Sequence, residues 1–136
     1  MNINQILRVV GTDYKVMTKE LCERAELCSM IPAKDAKIAI KPNLVVAGPA
    51  ELGATTHPSV VAGIIEYLHE NDFNNLVIME SAWYGENTED ALVASGFDLL
   101  CAQYDIPFVD IKKVPSHNQD CCGMELVVTD AINDVD

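Results

Sequence analysis

Three short polar clusters hold the residue types that chemistry uses: Lys41-Pro42-Asn43, Ala54-Thr55-Thr56-His57-Pro58 and Glu80-Ser81. Lys41 places a positive charge directly after an apolar run, and Glu80 places a carboxylate directly after another. Thr55 and Thr56 put hydroxyls ahead of a proline of the kind that opens a helix. A helix N-terminus presents unpaired backbone N–H groups and the positive end of a dipole, so beside a lysine it favours a phosphate or a carboxylate. The candidate catalytic residues are therefore Lys41, His57 and Glu80, and the candidate ligand contacts are Asn43, Thr55, Thr56 and Ser81. Glu80 has three roles open to it: orienting Lys41, acting as a general base, or binding a metal.

Each of these residues also has a plainer reading. Capping alone explains hydroxyls ahead of a helix. His57 is equally a polar neighbour of that cap, and a Lys41–Glu80 ion pair would satisfy two strand ends without catalysis. His69, late in a helix, complements the dipole, and His117, in a polar stretch with Asn118 and Asp120, has no ligand spacing around it. The glycine-rich dinucleotide and P-loop signatures, the zincin motif and the hydrolase nucleophile elbow are all absent. The five cysteines (Cys22, Cys28, Cys101, Cys121 and Cys122) form an odd set without a CxxC pair, which argues against a disulfide framework and against a self-contained zinc or iron–sulfur site. The first three read as small buried hydrophobes. The vicinal pair ahead of Gly123 admits a redox role, although adjacent cysteines suit a disulfide poorly.

The elements that position these clusters follow from periodicity. Ile3, Ile6, Leu7 and Val10 recur at helical spacing up to Gly11. Thr12 and Asp13 then cap a second helix, whose apolar face is read as Met17, Leu21, Ala25 and Cys28, with Lys15 and Lys19 in water. Strands are expected at 37–40, 76–79, 107–111 and 125–129, and a polar loop at 115–123. Between them lie a helix from Pro58 with Val61, Ile65 and Leu68 on its apolar stripe, a helix from Asn87 to Gly96, and a further helical turn or two over 97–103. The better strands are apolar on both faces, the pattern of a covered parallel sheet. The expected fold class is α/β: an open, doubly wound, mostly parallel sheet, whose ligands lie outside the carboxyl ends of the strands. All three polar clusters fall there.

Composition bounds the function classes. At 136 residues the chain suits one compact domain, read as residues 1–136 with N-terminal helices over 1–30 and an α/β core over 36–136. The formal net charge of −12 opposes nucleic acid and anionic membrane as partners, but a small anionic ligand can still be held by a few local dipoles and one cation. No apolar run reaches the ~20 residues of a bilayer span, and polar residues interrupt the N-terminus, so the cytoplasm is the expected location.

The runs Ile38 to Leu44, Ala54 to Pro58, Met79 to Ser81 and Ser95 to Phe97 together resemble the N-terminal half of the domain of unknown function 362 family, over about residues 36–136. That family shares a lysine-proline-asparagine motif after a strand, a threonine-histidine-proline helix start and a glutamate-serine after the next strand. The resemblance implies no established reaction. Some relatives carry an appended ferredoxin-like module, so an iron–sulfur cluster is implied only for longer relatives and no cofactor for this chain. It further implies another apolar strand after Asp134 or Asp136, so the domain is expected to be incomplete at its C-terminus. A homo-oligomer through an open sheet edge, or terminal segments folded over the gap, would compensate.

Overall fold

Three apolar runs become the strands of one parallel sheet in the computed structural model, which describes residues 5–136. Strand β1 is Ile38–Ile40, β2 is Leu76–Glu80 and β3 is Phe108–Asp110, in the spatial order β1-β2-β3. Ile38 pairs with Leu76 and Ile78 with Phe108, so the central strand is flanked on both sides. All five β2 residues are buried, as an apolar run inside a covered sheet requires.

Among the described residues four α-helices lie between and before the strands. Asp13 caps α1 (Tyr14–Arg24), its carboxylate accepting from the Val16 amide at 3.0 Å. Helix α2 (Pro58–Glu70) opens on proline, whose fixed φ and missing N–H cost nothing in a first turn. Asn87 caps α3 (Thr88–Ser95), and Gly96, at φ 81°, ends α3 and leads into α4 (Phe97–Tyr104). The left-handed conformation at Gly96 is one that a side chain would strain.

Helix α1 does not bury the face that hydropathy assigns to it. Cys22 is its buried residue and Leu21 is 38% exposed. The reason lies on α2. A Cβ built on Gly63 would sit 2.5 Å from the Lys15 carbonyl oxygen and 2.8 Å from Thr18 Cβ, so the two backbones meet there. That contact selects the Lys15, Thr18 and Cys22 side of α1 over the Met17–Leu21 side. Lys15 and Lys19, expected in water, keep 43% and 30% of their side chains exposed while bridging to Glu66 at 2.9 Å and Glu70 at 2.5 Å on α2.

Two further expectations are corrected. The helix read from Ile3 to Val10 is absent over residues 5–10, where Ile6 and Val10 are exposed; Ile3 lies outside the described residues. A short segment that leaves Ile6 and Val10 in water gains too little packing to offset the cost of helix nucleation. The stretch 115–123, read as a loop, contains strand β4 (Ser116–Cys121), which pairs antiparallel with β5 (Met124–Thr129) in a hairpin separate from the parallel sheet. Cys122 (φ 56°) and Gly123 (φ 85°) form its two-residue turn, where positive φ at both positions matches the twist of the strands. The run at 125–129 is thus a strand, but of the hairpin. The vicinal cysteines sit at a hairpin tip with free thiols.

The parallel sheet separates two cores. On one face Ile40 and Ile78 pack with Cys22, Ile65, Leu68, Ala91, Phe97 and Leu100, so all four α-helices contribute. On the other, Val77 and Met79 pack with Ala131, flanked by Ala39, Val109 and Val135. The second cluster is covered by the C-terminal segment, a 3-10 turn at Asp130–Asp134 followed by extended Val135. Asp136 completes this cover: its amide donates to the Lys37 carbonyl at 3.1 Å, and its carboxylate accepts from the Lys37 amide at 2.8 Å. The result is a mixed α/β fold with a three-stranded parallel sheet and a small antiparallel one. Among the described residues no helix is long and apolar enough to cross a membrane.

Candidate functional site at the carboxyl edge of the sheet

Parallel pairing puts the carboxyl ends of β1, β2 and β3 on one edge, and the first two deliver Lys41 and Glu80 there. The Lys41 Nζ lies 2.5 Å from Glu80 Oε2. Glu80 is only 7% exposed, and its other oxygen accepts from the Ser81 amide at 2.8 Å. A buried carboxylate is therefore held by one cation and one backbone donor, the compensation that burying a charge requires. The Lys41 side chain is 59% exposed. Of its three N–H donors one serves Glu80, and among the described residues it has no other hydrogen-bond partner.

The loop after β1 is laced to the entry of α2. Thr56 donates its amide to the Asn43 carbonyl at 2.8 Å, and the Asn43 amide donates to Thr56 Oγ1 at 2.8 Å. An isolated antiparallel bridge between Leu44 and Thr55 continues the contact. The Thr56 hydroxyl consequently serves the loop and not a cap: the cap position of α2 is His57, which makes no side-chain capping bond among the described residues. Thr55 is buried, and its Oγ1 has no partner among the described residues.

His57 stands apart from the Lys41–Glu80 pair. Its Nε2 is 3.3 Å from Glu51 Oε1, and its ring centroid is 4.7 Å from that of Tyr14. Its Nδ1 is buried without a partner among the described residues.

A cavity of about 390 Å³ opens at this edge, lined by Asn43, Leu44, Val45, Glu80, Ser81 and Trp83. Three of the sequence-derived site residues, Asn43, Glu80 and Ser81, share this cavity, and Lys41 joins it through Glu80. Thr56 supports Asn43 from behind. Leu44, Val45 and Trp83 were not singled out from sequence; an aromatic residue just past a strand end was the available signal for Trp83. Among the described residues no group of three His, Cys, Asp or Glu side chains gathers as a metal cluster.

A second polar cluster is structural. Glu66 Oε1 accepts from Tyr104 Oη at 2.7 Å and from Lys15 Nζ at 2.9 Å, tying α1, α2 and α4 together. The Tyr104 hydrogen bond, then that of Lys15, holds the Glu66 carboxyl below its ordinary range. Burial first, and then Glu66, pushes the Tyr104 hydroxyl up to about 12. Burial likewise raises the Cys22 and Cys101 thiols, which favours their protonated forms over reactive thiolates.

Fold and site together define an α/β domain with a polar, open carboxyl edge. A family model described as domain of unknown function (DUF362) matches residues 38–136, and the chain belongs to that family. The matched span starts at the first residue of β1 and includes every candidate site residue. Comparison with curated proteins and with solved structures gives no match.

Proposed function

We propose that the carboxyl edge of the sheet binds a small ligand through a phosphate or carboxylate group. The observation that carries this reading is the Lys41 ammonium, 59% exposed and fixed by the buried carboxylate of Glu80, which itself lines the cavity. Glu80 holds the lysine in place and leaves two of its donors for a ligand on the solvent side. Asn43 and Ser81 add polar groups to the cavity wall, and a net charge of −12 makes a held cation a locally distinctive feature. In an enzymatic version, Lys41 and Glu80 would move a proton at the bound group. The position of His57, turned to Glu51 and Tyr14, supports a second version: a non-catalytic ligand-binding or electron-transfer partner domain. Either version suits a cytoplasmic protein, where free thiols persist, and a doubly wound sheet in which the Val77–Met79 face takes its own layer.

Calorimetric titration of the protein with inorganic phosphate and with acetate tests the proposal. Saturable binding is expected, weakened by salt and lost in Lys41→Met, with thermal melts showing that the variant folds. Undiminished binding in a folded Lys41→Met protein, or no binding of either anion to the unaltered chain, overturns it.

A further inference from the structure

We propose that the ligand of this edge also carries a planar ring, stacked on Trp83 beside its anionic group; the proposal rests on the anion-binding reading above. Trp83 is 69% exposed yet forms part of the same cavity wall as Glu80 and Ser81, with Leu44 and Val45 beside it. The cavity lining thus combines polar groups with aromatic and aliphatic ones, which matches a small ligand with a charged head and a flat apolar body. At about 390 Å³ the cavity suits a small molecule, not a polymer.

The backbone that carries the ring is also held. The Trp83 amide donates to the Val45 carbonyl at 2.9 Å, and the Ala82 amide donates to Thr88 Oγ1 at 3.2 Å. The Glu86 amide closes the turn onto the Trp83 carbonyl at 3.0 Å. Lys112, from the segment after β3, donates to the Trp83 and Glu86 carbonyls at 2.8 and 3.2 Å. A loop that only connected β2 to α3 would not need a lysine from another strand's end to fix its backbone. A ring carried on a fixed backbone loses less freedom on binding than one on a loose loop, and stacking adds to simple burial. Neighbouring Tyr84 is 95% exposed but does not line the cavity, so it provides an internal contrast. Lys112 acts here as a positioning residue.

Trp83 is the single tryptophan of the chain, so its fluorescence reports directly on the site. The experiment compares phenyl phosphate with inorganic phosphate by calorimetry and by tryptophan emission. Phenyl phosphate is expected to bind about tenfold more tightly and to change the emission of Trp83. Trp83→Ala should bring phenyl phosphate to the affinity of inorganic phosphate, Trp83→Phe should retain a gap, and Lys112→Met should narrow it. Tyr84→Ala should leave the gap intact. Equal affinities in the unaltered protein, or a gap that survives Trp83→Ala, overturns the stacking proposal while the anion site stands. Absence of binding by both probes overturns the anion site and this proposal with it.

Discussion

Lys41 and Glu80 show how much one buried carboxylate can decide. Glu80 sits at the end of the most buried strand, so its charge depends on Lys41 and the Ser81 amide. Lys41→Met should destabilise the protein by about 1–3 kcal/mol in urea unfolding, because it strands the carboxylate. Adding Glu80→Gln to that background should recover part of the loss. The Glu66–Tyr104 contact yields a pH signature. Tyr104 is raised from 10.0 to about 12, so its contribution is complete below pH 10 and is lost as pH climbs through about 12. Glu66 is lowered from 4.5, so its contribution is present above pH 4.5 and fades as pH falls below it. Thermal melts against pH should show both limbs, and Tyr104→Phe should remove the alkaline limb and shrink the acid one. Lys41, Asn43, Glu80 and Ser81 were legible in the sequence because position just past a strand end is a local property. The surroundings of His57 were not, since they depend on Tyr14 and Glu51, which only the folded chain brings to it.

At the scale of elements, β1, β2 and β3 were readable because runs apolar on both faces have few alternatives. The hairpin was misread for the opposite reason. Ser-His-Asn-Gln-Asp-Cys has no apolar alternation, and its strand state comes from pairing with β5, from Ser116 opposite Thr129 to Cys121 opposite Met124. The face of α1 was misread because hydropathy sees side chains, whereas the α1–α2 contact is set by a missing one. Gly63→Ala tests this directly. The added methyl meets backbone at Lys15, which cannot swing aside as a side-chain tip would, so a loss of about 1–3 kcal/mol is expected in chemical unfolding. Because the clash falls between α1 and α2, hydrogen exchange should show α1 loosened more than β2. Uniform protection in both elements would mean that the helices part freely at this point.

At the scale of the whole molecule, the parallel sheet has a spatial order that repeats its order along the chain, and a clasp between Lys37 and Asp136 runs the other way. β2 pairs with the strand before it and β3 with β2, so each strand as it is made finds its template already present. Such a sheet can grow in the direction of synthesis, and the helix-side core around Ile65, Ile78 and Phe97 can condense with it. The contact between Lys37 and Asp136 cannot, because it joins residues 99 apart in the chain and loop closure must precede any gain from it. Pulse-labelled hydrogen exchange during refolding should therefore protect the Ile78 amide early and the Lys37 amide last; simultaneous protection would show a single concerted closure instead. Between those two moments Val77 and Met79 lie open to water, and a nascent chain would emerge with one side of its sheet finished and the other still adhesive. The Lys37–Asp136 clasp thus has a temporal meaning as well as a spatial one: the later it closes, the longer that side stays within reach of chaperones and of neighbouring chains.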